Sequence, residues 1–382
     1  DLNSSSYGDT YRVNDFIRAG YTGGGKAYSV WSAADVASAF DQILGFITGS
    51  GTDAGVAVSG GAGSYTSLAG LMKYITEYKT ADNSGDIKAF KLDANGNYAD
   101  LDGSGKPVPR WATTVPPVAS RQLFALSGYD PTTPGAASNA SLRKLLNAST
   151  TLGSLPADFQ GLLNANSKQK TDASFIRYIL GQEGATDVDG NVYRARGLVI
   201  GASVNSPPVY VGGRLDMGYA SYGNVTGQSE YADYRQKKRD YPATIFAATN
   251  EGMVHVLDSS DLAATGGKDL AAVMPKGAMA HQIALADTDF KFEFALDGPL
   301  SEDDIYDGAS VTPEGKKQWR SVVTGSGGRA GKFAFALESP LTAAGTRLPV
   351  KDHFLWEVSN ASTNYGDMGY ITNNPTAGQL DN

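Results

Sequence analysis

The sequence predicts a mainly β protein: a partial β-propeller preceded by a helix-containing N-terminal segment. Three observations carry that expectation. Glycine supplies 46 of the 382 residues, about 12% against the ~7% of an average chain, as a turn-rich fold requires. Beyond residue 190, short apolar runs alternate with Gly and Asn turns, the pattern of short strands. One unit also recurs: a strand ending in Leu-Asp or Leu-Glu, a polar turn, then a strand with an aromatic or apolar centre.

The first copy is Ile87-Lys88-Ala89-Phe90-Lys91-Leu92-Asp93, with Trp111 further on. The second is Val254-His255-Val256-Leu257-Asp258, followed by Gly267-Lys268-Asp269-Leu270-Ala271-Ala272-Val273. The third is Phe333-Ala334-Phe335-Ala336-Leu337-Glu338, followed by His353-Phe354-Leu355-Trp356-Glu357-Val358. Irregular spacing places inserted loops between the copies. Four-stranded sheets repeated around an axis explain the short strands, the glycine and the recurring tryptophan together. A β-sandwich would not predict a recurring unit.

The elements before the repeats read as partly helical. Ser32 stands at an N-cap position, and Val36, Phe40, Ile43, Leu44 and Ile47 follow at helical spacing until Gly49. Leu68, Leu71, Met72, Ile75 and Tyr78 repeat that period, as do Phe175, Ile176 and Ile179 between Asp172 and Gly181. Glycine- and serine-rich stretches at 49–53 and 59–64 read as linker or surface loop, and 129–140 as a further loop. Strands are expected at Leu198-Val199-Ile200, Val209-Tyr210-Val211, Thr244-Ile245-Phe246-Ala247-Ala248, Met253–Asp258 and Arg320-Ser321-Val322-Val323.

Composition excludes several classes. Glycine and proline together number 62 (46 plus 16) and charged residues make up 19%, so collagen, coiled coil and a disordered tail are all ruled out. A net charge of −8 repels a phosphate backbone, so no nucleic acid is expected as a partner. No cysteine is present, which removes disulfides, thiolate nucleophiles and zinc-thiolate sites. No apolar run approaches the ~18 residues of a membrane helix. The opening Asp1-Leu2-Asn3-Ser4 is expected to be the start of a piece of something longer.

Several strings imitate chemistry. Gly20-Tyr21-Thr22-Gly23-Gly24-Gly25-Lys26-Ala27 nearly spells a phosphate loop, but alanine stands where a hydroxyl must hold Mg²⁺. Gly325-Ser326-Gly327-Gly328-Arg329-Ala330 fits a loose dinucleotide fingerprint, yet the following Lys332–Leu337 alternates as a strand, so a hairpin turn is expected. The histidines are His255, His281 and His353; two lie in apolar strand patterns, where satisfied packing is the commoner role. Without a G-x-S-x-G or HExxH string, no nucleophilic triad or zinc protease is supported, and no catalytic residue is assigned. Ser301-Glu302-Asp303-Asp304 reads as a solvated loop, and Tyr234-Arg235-Gln236-Lys237-Lys238-Arg239 as a solvated edge before a strand. Asp93, Asn95, Asn97 and Asp102 space side-chain oxygens at alternate positions as calcium loops do. That string lacks the glycine and glutamate of an EF-hand, and Asn95-Gly96 is a hairpin signal on its own. Asp187-Val188-Asp189-Gly190-Asn191 is a weaker case, because nothing acidic follows.

Certain strings, in this order, resemble the C-terminal region of the PilY1/PilC family of type IV pilus tip proteins. They are Tyr193-Arg194-Ala195-Arg196-Gly197, Val204-Asn205-Ser206-Pro207-Pro208-Val209-Tyr210-Val211-Gly212, and Ala248-Thr249-Asn250-Glu251-Gly252-Met253 running to Asp258. Next come Leu296-Asp297-Gly298-Pro299, Trp319-Arg320-Ser321-Val322-Val323 and Gly325-Ser326-Gly327-Gly328. The last are Leu355-Trp356-Glu357 and Gly366-Asp367-Met368-Gly369-Tyr370. The helical stretch near 33–48 is similar to the end of the von Willebrand A-like domain that precedes this region in the family.

The resemblance implies three parts: 1–49 as the end of that A-like domain, 50–190 as a helical and loop connector with a first β unit, and 191–382 as incomplete propeller blades. It implies a non-enzymatic, extracellular protein at the pilus tip, associated with the outer membrane. There it would prime assembly with minor pilins, counteract retraction and support adhesion to a surface receptor. Glu251 replaces the family's usual Asp, and Leu337-Glu338 its Leu-Asp; both keep the turn chemistry. The family's Ca²⁺ loop is expected beyond Asn382, so no cofactor is assigned within the chain. A quinoprotein (PQQ) dehydrogenase is the rival expectation. It shares Gly- and Trp-rich propeller repeats, but zero cysteine counts against it.

Overall fold

The structure is a computed structural model. It describes residue 32, residues 57–58 and most of 72–375; it leaves out 80–81, 94, 127–142, 165–172, 185, 187–189, 199, 213–216, 222–225, 240–241, 308–317, 340–353 and 363. The chain divides into two compact units, Asp1–Ala54 and Gly55–Asn382; every element below belongs to the second. The helix expected near 33–48, the phosphate-loop mimic, the 129–140 loop and His353 lie outside the described residues.

Three sheets, each built on an antiparallel four-stranded meander, follow one another along the chain. The first has strands β1 (Ala57–Val58), β2 (Met72–Lys79), β3 (Ser84–Lys91) and β4 (Trp111–Ala112), in sequence order. The second is built on β7 (Val209–Val211), β8 (Thr244–Thr249), β9 (Met253–Asp258) and β10 (Asp269–Met274). The third has β11 (Ser301–Asp307), β12 (Gln318–Ser326), β13 (Phe333–Glu338) and β14 (Phe354–Ser359). Each is a four-stranded meander, the form of a propeller blade. The recurring unit of the sequence is the last strand pair of each: β3–β4, β9–β10 and β13–β14.

The middle blade is extended. Strands β5 (Leu123–Leu126) and β6 (Arg143–Leu146) form a hairpin, and β5 lies parallel to β10, giving six strands in the order β6-β5-β10-β9-β8-β7. This sheet therefore takes strands from both sides of residue 190.

Alternation along the middle blade sends side chains to two cores. Phe246, Ala248, Val254, Val256, Ala271 and Val273 pack with Val323, Phe333, Phe335 and Leu337 of the third blade. Ile245, Ala247 and Leu257 point the other way and pack with Tyr74, Ile87, Ala89 and Trp111 of the first. Both faces are thus covered, so every residue of β8 and β9 is buried. A further core gathers Leu123, Met253, Ala272 and Met274 of that face against helices α1 (Ala157–Asn164) and α2 (Ala173–Ile179), through Phe159, Phe175 and Ile176. Helix α2 matches the third helical period, and Gly181 follows it with a φ of +100°, the conformation that ends helices.

One expected helix is corrected. Met72, Ile75 and Tyr78 lie in β2, not in a helix, and pair with Lys91, Lys88 and Gly85 of β3. The segment Tyr74-Ile75-Thr76-Glu77-Tyr78 is rich in aromatic and β-branched residues, which fit a pleated surface. Tyr74 and Thr76 alternate into the interior, where Tyr74 packs 5.8 Å from the Trp111 ring. Leu68 and Leu71 lie outside the described residues.

Candidate functional site

Most of the strings that carry the resemblance meet at one end of the blades; Trp319–Val323 begins at the other end of β12. Each blade has a turn between its second and third strands, described at residues 82–83, 250–252 and 327–332. Hydrogen bonds link them in succession. Asn83 Nδ2 donates to Asn250 O at 2.7 Å, and Ala295 N donates to Asn250 Oδ1 at 3.1 Å. Asn205 Nδ2 donates to Asp297 Oδ2 at 2.8 Å, while Asp297 N reaches Gly327 O at 3.4 Å. The glycines permit the close approach: a Cβ on Gly328, whose φ is +60°, would lie 2.4 Å from Gly298 N. Glu357 accepts Lys276 N and Gly277 N at 2.8 and 2.7 Å; burial pushes its carboxyl up to about 7 against those two donors. Burial likewise raises Asp297, opposed first by Asn205.

Below the middle turn lies a buried charged network. Glu251 Oε1 sits 2.6 Å from His255 Nε2, and Asp269 Oδ2 3.1 Å from His255 Nδ1. With a carboxylate on each ring nitrogen, both nitrogens carry hydrogen. Burial disfavours the imidazolium, but Asp269 and then Glu251 outweigh it and raise His255 to about 9. Burial also opposes the Glu251 carboxylate, which His255, Arg121 and Arg196 hold down at about 2. Arg121 donates to Leu180 O at 2.8 Å and lies 3.5 Å from Asp269 Oδ2. Arg196 lies over the Tyr178 ring at 4.5 Å, donates to Tyr178 O and reaches Glu251 at 3.7 Å. The network joins the turn to helix α2, and His255 has the satisfied packing role expected of it.

Two expected solvated segments are corrected. Ser301-Glu302-Asp303-Asp304 is not a loop: it opens β11, and Asp304 is 1% exposed. Residues Tyr234–Lys238 are not an edge: they lie in helix α3 (Gln228–Lys238), and Lys238 is wholly buried. Their physical reason is mutual, since Lys238 Nζ reaches Asp304 and Glu302 at 2.8 and 3.0 Å. Nothing in their local spacing reveals the pairing; only a helix-terminal lysine and an alternating acidic strand hint at it.

The dinucleotide mimic is the β12–β13 turn, as its alternation implied. Asp93, Asn95 and Asn97 fall in one turn, where Asp93 Oδ1 accepts Asn95 N and Asn97 N at 2.8 and 2.9 Å. Asp102 belongs to the next turn and accepts Ser104 N and Lys106 N at 2.8 and 2.9 Å. These backbone donors lower both carboxyls, led by Asn97 for Asp93 and Lys106 for Asp102. Among the described residues, no group of three or more His, Asp or Glu could hold a metal ion, and no helix is long and apolar enough to cross a membrane.

Exposed groups gather past β14. Ser326 Oγ donates to Ile371 O at 2.8 Å and Lys332 lies 5.4 Å from the Tyr370 ring, yet Tyr370 is 59% and Tyr365 40% exposed. This segment, lying on the β12–β13 turn, offers aromatic contact surface held by the buried rim.

Known proteins resemble this chain in sequence. Residues 200–382 match the family model of the PilY1 beta-propeller domain. A type IV pilus biogenesis factor PilY1 homolog of Xylella fastidiosa is 28% identical over 371 residues, covering 91% of this chain and 23% of its own. A second homolog from that organism is 27% identical, covering 97% and 26%. The type IV pilus biogenesis factor PilY1 of Pseudomonas aeruginosa is 24% identical, covering 99% and 30%. The chain thus spans less than a third of the length of these relatives. No solved structure matches. The chain is PilY1-like, a mainly β protein with propeller blades, and nothing supports the quinoprotein alternative.

Proposed function

We propose that this chain is the blade-bearing part of a type IV pilus biogenesis factor that works by binding, without catalysis, at the cell surface. One observation carries the reading: three proteins named as such factors align with 91–99% of the chain. Within that reading the protein sits at the pilus tip in association with the outer membrane, contacts minor pilins, opposes retraction and supports attachment. The buried rim suits such work, because a rigid scaffold presents loops without an ordering cost at each encounter. The exposed Tyr365 and Tyr370 are the contact groups that the reading favours, being aromatic, part apolar and poor in rotamers.

Deletion of the gene tests it. Surface pili and attachment should fall while total pilin stays at its normal level, and disabling the retraction motor in the deletion strain should restore pili in part. Wild-type piliation and attachment in the deletion strain would overturn the reading.

A further inference from the structure

Helix α3 ends on a lysine that the fold has taken entirely out of water. The Lys238 side chain is 1% exposed, with Glu302 at 4% and Asp304 at 0% beside it. One ammonium therefore faces two carboxylates. The walls are aromatic: the Tyr231 and Trp319 rings lie 4.6 Å apart and those of Tyr219 and Trp319 5.0 Å. Buried ions repay their desolvation only when every lone pair is met, and Glu302 Oε2 has no hydrogen-bond partner. Burial, opposed by Lys238, pushes the Glu302 carboxyl up to about 7, so it holds or yields a proton readily near neutrality.

Asp304 is held for attack. Its Oδ1 accepts Lys238 Nζ at 2.8 Å and Ser321 Oγ at 2.6 Å, and its Oδ2 accepts the Tyr231 hydroxyl at 2.8 Å. Ser321 in turn lies 2.8 Å from the Tyr234 hydroxyl. An amine fixed against a carboxyl, donors on both oxygens, a neighbouring acid–base and no bulk water are together the requirements of acyl transfer.

We propose that Lys238 and Asp304 condense to an intramolecular isopeptide bond, with Glu302 moving the proton. The ammonium first passes one proton to Asp304 Oδ1 along their hydrogen bond, leaving a neutral amine and a neutral acid. The amine lone pair attacks Cγ, the Nζ–Cγ bond forms, and the carbonyl pair moves onto Oδ2 under the Tyr231 hydroxyl. Glu302 takes a second proton from Nζ and delivers it to Oδ1. The pair on Oδ2 returns, the Cγ–Oδ1 bond breaks and one water leaves. Of the three ammonium hydrogens, one stays on the amide and two depart in the water, so no oxidant or reductant is needed. The product removes two buried charges and ties helix α3 to blade three across 66 residues. The inference rests on this pocket alone, independently of any role at a pilus.

The intact mass of the purified chain decides it. The expected mass is one water below that of the sequence, with a tryptic digest yielding a branched peptide that joins Lys238 to Asp304 and lacks cleavage after Lys238. Glu302→Gln and Lys238→Arg, each checked for native circular dichroism, should restore the full mass. A wild-type chain at full mass, or a water loss that maps to other residues, would overturn the proposal. So would a folded Glu302→Gln chain that still links completely.

Discussion

The network under the β8–β9 turn and the pocket between α3 and β11 both remove charge from water, yet they balance it by different means. Under the turn, Arg121, Arg196 and His255 face the buried Glu251 and Asp269, and Arg196 also reaches Glu183 at the surface, which brings the count to three cations and three carboxylates. Two of the cations also donate to backbone carbonyls, Leu180 O and Tyr178 O, so their forks fix geometry as well as charge. In the pocket, Lys238 alone meets Glu302 and Asp304, leaving an acid in excess. A balanced network is inert and joins elements together; an unbalanced one is resolved by a proton or by chemistry. Charge count, and not burial alone, separates the two.

Three measurements bear on that contrast. Arg121→Ala has the largest expected effect, because it strips Asp269 of one buried cation and Leu180 O of its donor. Removal of one partner from such a pair costs about 3–5 kcal/mol, read as a lower midpoint in chemical denaturation. A loss under ~1 kcal/mol would mean that the balance under the turn is not what holds it. A smaller effect concerns pH. The folded His255 is raised to about 9 from an ordinary 6.5, so its stabilisation is complete below about pH 6.5 and is lost as pH rises through about 9. Wild-type stability should decline along that alkaline limb, and His255→Gln, already less stable, should show a flatter one. A limb of unchanged depth in the variant would place its origin elsewhere. Lys91→Ala has the smallest expected effect. Its pair with Asp261 is short, 2.8 Å, but about a third exposed on each side, and such pairs contribute ~0–1 kcal/mol. A loss as large as that of Arg121→Ala would erase the distinction between buried and surface charge.

The sequence made the blades readable because each repeat buries the same strand pair, and a period of two survives in Val254-His255-Val256-Leu257 and Phe333-Ala334-Phe335-Ala336. It misled at Met72, Ile75 and Tyr78, where a spacing of three fits a helix while the residue types favour a strand. The rim was legible only in part: Asn250 and Asp297 stood in the strings, but Asn83 did not, and its contact with Asn250 spans more than a hundred residues. The pocket was hidden for the same reason. Lys238 reads as one of several basic residues and Glu302 as one of several acidic ones, until the fold places them 3.0 Å apart. His255, by contrast, carried its own signal, since an apolar strand pattern already implies a buried and satisfied ring.

The parallel pairing of β5 with β10 sets a clock on the making of this protein. The β5–β6 hairpin is synthesised first, and its partner edge β10 begins only at Asp269. At the ~5–20 residues per second of synthesis, that edge stays open for several seconds or longer. An unpaired edge with Leu123, Phe124 and Leu146 beside it is a template for wrong partners. The middle blade can close only after the chain has passed Met274, so its hairpin needs shelter until then, and a chain halted between β6 and β10 would be the form most prone to aggregate.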